Sequence, residues 1–503
     1  MFRKVLIANR GEIACRIAAT LREMGIASVA VFSGADRGAL HTRETDQAIE
    51  IGAADARASY LDVEALIRAA RAAGAEAVHP GYGFLAENAD FAAAVEAAGL
   101  IFIGPTADQI RTLGDKRAAR DLAGRAGVAI VPGAAGNTPA ELAAAAQKLG
   151  FPVLVKAALG GGGKGMRVVA DAAALAEAIE SAGRVAESAF GDASIYLERH
   201  LERPRHIEVQ VLGDGKGDAI HLFERECSLQ RRHQKVIEEC PSPAVNETLR
   251  ERLTFAAVAL AKSVKYRGAG TVEFLVGADS KFFFLEMNTR LQVEHPVTEL
   301  ATGLDLVRLQ LEIAARGALP AQQAIDRRGH AIEARVYAED AAHGFLPQAG
   351  SLARVAWPRA PFVRVDRGVE SGDAVPVHYD PILAKVIAYG DDRARAIERL
   401  THALDETRLH GVITNLPFLK ALLRADAVRQ AAFDTEWIER EFLAGFTALA
   451  SAPVPEAALA AAALAELLGA ASAGDGTGGV GGADARAEDP FAELGAWRLP
   501  GLS

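Results

Sequence analysis

The chain has 503 residues, half of them hydrophobic and 24% charged, with a net charge of −10. At ~150 residues per domain it suggests about three folded units, and its composition excludes a mainly disordered or collagen-like chain. An acidic balance offers no global field for nucleic acid, so no nucleic-acid partner is expected.

Strand and helix alternate over the first hundred residues. Lys4 to Ala8, Ser28 to Phe32, Ala77 to His79 and Ile101 to Ile103 read as strands; Gly11 to Met24 and Val63 to Ala73 read as helices. This alternation predicts a parallel sheet with crossover helices, whose ligands sit beyond the carboxyl ends of the strands. A second unit, about 132–203, carries Lys156 on the apolar strand Phe151 to Ala157 and then the glycine run Gly160 to Gly163. A third is α+β, with extended segments at His206 to Leu212, Ala219 to Glu224, Thr271 to Val276 and Phe282 to Asn288. Helices at Glu247 to Val264 and Asp391 to Glu406 interleave them. After Ala450 the composition turns to Ala and Gly, the pattern of a flexible linker, and 489–503 resembles the start of a further unit.

Cys15, Cys227 and Cys240 form no CxxC pair, which favours structural cysteines in a reducing compartment. The apolar run after Met1-Phe2-Arg3-Lys4 is too short for a secretory signal, and Ala457 to Ala465 is too short to span a bilayer. A soluble, cytoplasmic protein with no membrane partner is the expectation.

The glycine run fails the P-loop spacing, because Ala158 stands at its start and Gly165 follows Lys164. Its backbone N–H groups can still close over an anion. Lys156 on its apolar strand needs an acidic partner or ligand if buried. The sharpest constellation is carboxylic. A hairpin turning at Asp279-Ser280 sets Glu273 opposite Glu286, and like charges directly opposed destabilise a sheet. A cation between them resolves the conflict, and Asn288, two residues on, shares their face. Oxygen ligands of this kind suit Mg²⁺ bridging phosphates. Arg290, Gln292 and Glu294 continue the period of two; if extended, they line one face, where Arg and Glu can hold a small oxyanion and take its proton. The basic stretch Glu226 to Lys235 has no interleaved aromatic for base stacking and suits a polyphosphate pocket at least as well. Asp115 reads as the N-cap of a helix beginning at Lys116.

Six segments in order then carry a resemblance: KVLIANRGEIACRI from Lys4, HPGYGFLAEN from His79, GDKRAAR from Gly114, GGGGKGMRVV from Gly160, QRRHQKVIEE from Gln230 and EMNTRLQVEHPVTE from Glu286. Together they resemble biotin carboxylase, the ATP-grasp component of biotin-dependent carboxylases. EARVYAED at Glu333 and YDPILAKVI at Tyr379 look closest to the acyl-CoA carboxylase α subunits of the methylcrotonyl-CoA branch. The resemblance implies α/β and α+β architecture: a Rossmann-like preATP-grasp domain over 1–113, an ATP-grasp region with its glycine-rich lid over 114–317, and a barrel-like C-terminal region over 318–446. A linker at 447–488 and an incomplete unit at 489–503 would follow. It implies ATP-dependent carboxylation of biotin with bicarbonate through carboxyphosphate, as the first half-reaction of an acyl-CoA carboxylase.

By motif position Lys116, Lys156, Gly162, Gly163, Glu198, Leu201, His206, Gln230 and His233 would bind ATP. Glu273, Glu286 and Asn288 would hold Mg²⁺ or Mn²⁺. Lys235, Arg290, Gln292 and Val293 would bind bicarbonate, Glu294 would act as base and Arg335 would face biotin. No Ala-Met-Lys-Met biotin-attachment sequence is present, so a separate biotin carboxyl carrier, a carboxyltransferase subunit and a homo-oligomer are implied. Another ATP-grasp ligase phosphorylating bicarbonate for carbamoyl transfer, or a scaffold with a degenerate ATP site, are the alternatives. The final acyl acceptor is not legible.

Overall fold

In the computed structural model, which describes residues 1–136, 138–157, 166–190, 193–450, 456–457, 459–460 and 463–464, the expected alternation opens the chain. Strands β1 (Lys4–Ile7), β2 (Ala27–Ser33), β3 (Gln47–Gly52), β4 (Ala77–His79) and β5 (Ile101–Phe102) form a parallel sheet in the order β3-β2-β1-β4-β5. Strand β3 has no sequence signal of its own: it lies at the sheet edge, and Gln47 and Glu50 interrupt its apolar run. Helix α1 (Gly11–Glu23) follows β1 through one sharp turn. Arg10 is extended and Gly11 takes φ +65°, a conformation that glycine adopts without strain. Ile13, Ala14, Ile17, Ala18 and Leu21 bury one face of α1, and Glu12 and Arg16 are buried with them.

A four-stranded antiparallel sheet follows, β6 (Gly133–Gly136), β7 (Val153–Ala157), β8 (Arg167–Val169) and β9 (Ile195–Arg199), in the order β6-β9-β7-β8. The residues after Ala157 that include Gly162 and Gly163 lie outside the described residues, as do 489–503.

The largest element is an antiparallel eight-stranded sheet. It contains β10 (Arg205–Asp214), β11 (Ala219–Arg231), β12 (Gln234–Cys240), β13 (Arg267–Val276), β14 (Phe282–Asn288), β15 (His330–Tyr337), Val363–Arg367 and Ile382–Gly390. The order is β14-β13-β10-β11-β12-β15, then Ile382–Gly390, then Val363–Arg367. Helix Glu247–Ser263 packs its Leu249, Leu253, Ala257 and Leu260 into a core with Val209, Val272, Phe274 and Phe284. The chain divides into two compact units, Met1–Thr447 and Ala448–Ser503, and all of these sheets belong to the first. Among the described residues no helix is long and apolar enough to cross a membrane.

The β13–β14 hairpin pairs Glu273 with Glu286 as expected, by a route the sequence conceals. Its turn is centred on Asp279, with the Gly277 N–H donating to the Lys281 carbonyl, so Val276 faces Phe282 and Phe274 faces Phe284. A register shift then leaves Leu285 as the extra residue of a bulge and brings Glu286 back opposite Glu273. Beyond Asn288 the expectation fails. Residues 289–294 are not extended; they loop away from the sheet, and Glu294 stands just before helix His295–Thr302. The polar face therefore does not arise from strand alternation.

Candidate active site

Glu273 and Glu286 share one face of the hairpin but live in different electrostatic surroundings. Glu273 lies 2.9 Å from Lys235 Nζ and 2.9 Å from His206 Nε2, and accepts a 2.8 Å hydrogen bond from the Asn288 amide. Burial favours its neutral form, yet Lys235 and His206 outweigh burial and hold its carboxyl well below the usual range. Glu286 receives no such compensation. Burial, then the charge of Glu273, raise its proton affinity above the ordinary carboxylate value. A divalent cation would reverse that conflict, so two carboxylates and an amide oxygen on one face fit such an ion. Glu286 also lines a cavity of about 40 Å³ with Lys116, Lys156, Arg120 and Tyr196.

Lys235 is the hub of the site. Strand β11 runs on to Arg231, further than its sequence pattern suggests, and turns into β12 through Arg232 and His233, at φ +46° and +65°. Two consecutive left-handed residues are the signature of the tight hairpin turn that matches strand twist. Just beyond it, Lys235 donates to Glu208 at 2.5 Å, Glu294 at 2.6 Å and Glu273 at 2.9 Å. Arg335 on β15 reaches the other oxygen of Glu294 at 3.0 Å and Glu238 at 2.5 Å. Glu294 is fully buried. Burial works against its charge, but Lys235, Arg335 and Arg225 prevail and keep it ionised far below the usual range.

Arg290 joins the same cluster through Asn288 at 3.2 Å and Gln292 at 3.1 Å, and Gln292 donates to Glu273 at 3.3 Å. The loop thus delivers all three expected residues, although a strand does not. The Val293 carbonyl accepts a 3.0 Å hydrogen bond from Lys385.

On the four-stranded sheet, Lys156 finds the acidic partner its apolar strand demands: Glu198, a diagonal neighbour on β9, at 2.6 Å. Burial lowers the proton affinity of Lys156, and Glu198 offsets part of this. Arg120 shares Glu198 at 2.5 Å. Asp115 caps the helix Lys116–Arg125 as expected, accepting from the Arg117 and Ala118 N–H groups, which sets Lys116 at the cavity rim. Gln230 is buried, cross-strand from Lys235. His233 is exposed at the turn, and Leu201 lies half-buried in the loop after β9; neither joins the cluster around Lys235.

Several members were not legible as site residues. Glu208, wholly buried, is held by Lys235 and by Arg225, which also bonds Gln210, Thr271 and Thr298. Glu87 pairs with Arg290 at 2.9 Å, and Glu238 with Arg335. Glu208 and Glu238 share a signal, a charge inside an apolar strand, as in Ile207-Glu208-Val209 and Ile237-Glu238, the same that marks Lys156; Glu87, in the turn before helix Ala89–Ala97, has none. Among the described residues, His206–Glu208–Glu273 and Glu208–Cys227–Glu294 are groups of possible metal donors, and Lys235 compensates the carboxylates of both.

Comparison with known proteins covers nearly all of this unit. Residues 1–110 match the family described as biotin carboxylase, N-terminal domain. Residues 115–322 match the carbamoyl-phosphate synthase L chain, ATP binding domain, and 333–440 the biotin carboxylase C-terminal domain. The chain is 47% identical over 471 residues to the mitochondrial methylcrotonoyl-CoA carboxylase subunit alpha of Dictyostelium discoideum, covering 92% of this chain and 67% of that protein. It is 48% identical over 445 residues to the biotin carboxylase of Pseudomonas aeruginosa, covering 88% of this chain and 99% of that one. The crystal structure of a biotin carboxylase–beta-gamma-ATP complex from Campylobacter jejuni superposes with a TM-score of 0.85 at 42% identity, over 88% of this chain and 99% of that one. The chain spans only 60–67% of the length of the methylcrotonoyl-CoA carboxylase subunits it matches.

Proposed function

Because the chain belongs to the biotin carboxylase family of ATP-grasp ligases, we propose that it carboxylates biotin on a separate carrier, using ATP and bicarbonate, as the first half-reaction of an acyl-CoA carboxylase. The observation that carries this reading is the buried carboxylate of Glu294, gripped by Lys235 on one oxygen and Arg335 on the other.

Lys116, Lys156 and His206 hold the nucleotide phosphates, with Glu198 and Gln230 beside them. Glu273, Glu286 and Asn288 would hold Mg²⁺ or Mn²⁺, which when bound neutralises phosphate charge. Lys235, Arg290, Gln292 and the Val293 backbone bind bicarbonate, and Glu294 takes its proton. In the resting site Glu294 is too well paired to be a base. An anion entering between Lys235 and Arg290 draws on the same cations and adds a like charge nearby. Both effects raise the proton affinity of Glu294 toward a useful value.

Deprotonated bicarbonate attacks the γ-phosphate, giving ADP and carboxyphosphate. Carboxyphosphate breaks down to CO₂ and phosphate, and phosphate takes the N1 proton of biotin. Arg335, handed from Glu294 to the ligand, stabilises the ureido oxyanion, and the deprotonated N1 attacks the CO₂ to form the N–C bond of carboxybiotin. Transfer to an acyl-CoA belongs to a carboxyltransferase partner, and a homo-oligomer in a cytoplasmic setting completes the reading.

The test is ATP cleavage that requires bicarbonate and rises with free biotin. Glu294→Gln should still bind ATP while losing bicarbonate-dependent cleavage by about a hundredfold or more. Cleavage indifferent to bicarbonate, or equal kcat in the variant, would overturn the proposal.

A further inference from the structure

A lysine stands where the strand Ile382–Gly390 is most buried. Lys385 has no solvent exposure, between Ala384 and Val386. Burying an ammonium is costly unless it is paired and hydrogen-bonded. Its carboxylate neighbours are Glu12 Oε2 at 3.3 Å, Asp366 Oδ2 at 3.5 Å and the buried Glu333 on the facing strand, yet its shortest polar contact, 3.0 Å, is to the Val293 carbonyl. Arg335 and Tyr82 also stand close, the first as its cross-strand partner and the second with its ring centroid 5.9 Å away.

The two nearest carboxylates come from separate elements packed together. Asp366 accepts from Nε and Nη2 of Arg364, at 2.7 and 2.8 Å. Glu12 comes from the first turn of α1, and the chain after Val363–Arg367 presses directly on it: a Cβ on Gly368 would fall 2.6 Å from the Glu12 nitrogen. Three separate parts of the chain therefore converge on one ammonium, and that ammonium points at the peptide preceding Glu294.

We infer that Lys385 is a positioning residue for the anion site, holding the Val293 carbonyl so that the turn presents Glu294 and the Val293 backbone in fixed register. Arg335 and Lys385 are cross-strand partners on one sheet face. Arg335 grips the Glu294 side chain and Lys385 the carbonyl just before it, a two-point hold on one dipeptide. Glu294 makes no side-chain cap to the helix it precedes; beside this hold, the Gln292 carbonyl accepts from the His295 N–H at 3.3 Å and the Glu294 carbonyl from the Val297 N–H at 3.3 Å, so Lys385 is the one side chain on the Val293 carbonyl among the described contacts. Glu12 and Asp366 keep the ammonium charged and in place, and do not themselves touch the turn.

The inference rests on the bicarbonate reading above, so its test has one readout independent of activity. In Lys385→Met, amide exchange over residues 289–299 should speed by about tenfold, the equivalent of one lost hydrogen bond. The KM for bicarbonate should rise about tenfold, while that for ATP stays within about twofold. Glu12→Gln removes a charge partner but leaves the carbonyl contact, so it should lower stability and leave the bicarbonate KM within about twofold. Should Lys385→Met alone not fold, the double variant Glu12→Gln/Lys385→Met, which leaves no unpaired charge at Glu12, decides the matter by the same exchange measurement. Unchanged exchange over 289–299, or a Glu12→Gln variant reproducing the full rise in bicarbonate KM, overturns the inference. A wild-type protein lacking bicarbonate-dependent ATP cleavage would strike the functional reading instead, and the exchange comparison would still decide the role of Lys385.

Discussion

Replacing Glu286 by Gln should separate metal binding from folding. Glu273 is unsuited to this experiment: its removal would strip Lys235 of one of three carboxylates and leave His206 without its ion-pair partner. Glu286 carries the strain of the pair, its proton affinity raised by burial and then by Glu273, so the isosteric amide costs the metal-free protein little. A ligand at a hundred times its Kd stabilises the native state by about 2.7 kcal/mol. Losing one of two carboxylate ligands should weaken the ion about a hundredfold, at least as much as losing a supporting group around a metal. At the same concentration the increment then falls to RT ln 2, about 0.4 kcal/mol. The assay is denaturant unfolding with Mg²⁺ and ATP against ATP with chelator, and the difference between the two is the metal increment. Wild type should show the full increment and Glu286→Gln about one sixth of it, with similar midpoints in chelator. A variant whose increment equals that of wild type would show that these carboxylates are structural and that the cation binds elsewhere.

Two further outcomes are expected. His41 and His79 are buried and neutral, their proton affinities lowered by burial from 6.5 to about 4. Between those values the unfolded chain binds protons that the native state refuses, so stability falls as pH drops from about 6.5 to 4, by about 3 kcal/mol per histidine. His41→Gln should flatten urea midpoints measured across that window, and an unchanged slope would refute the argument. Deleting residues 451–503 should leave carboxylation of free biotin unchanged, since the matched segments end at 440 and the compact unit at Thr447; loss of both activity and folding would show otherwise.

Where sequence periodicity coincides with backbone structure, the site is legible. Glu273 and Glu286 do face each other, but only because the bulge at Leu285 offsets a turn centred on Asp279; Lys156 is found by the demand of an apolar strand for a counter-charge, met by Glu198. Periodicity misleads once the chain leaves the sheet: Arg290, Gln292 and Glu294 meet because a loop folds back on Asn288 and Lys235, not because alternate residues share a face. Glu208, Arg225, Glu238 and Lys385 escaped notice for another reason. Each balances a charge distant in the chain, and a pairing of that kind, such as Lys385 with Glu12, is set by tertiary packing. Strand β3, with polar residues at a sheet edge, gives too little apolar pattern to be read.

The eight-stranded sheet bears on how such chains can be recombined. The segments matching the ATP-binding and C-terminal families, 115–322 and 333–440, look like interchangeable cassettes in sequence. In space they meet inside one hydrogen-bonded ladder, where Ile237 pairs with Ala334 and Glu238 with Glu333. A graft at that boundary would swap three of the eight strands, leaving a hydrophobic edge open to intermolecular pairing unless the new strand matches β12 in register and charge. The junction tolerant of exchange should lie beyond Thr447, where the compact unit ends. An exchange made there keeps whole the ladder that carries both Lys235 and Arg335.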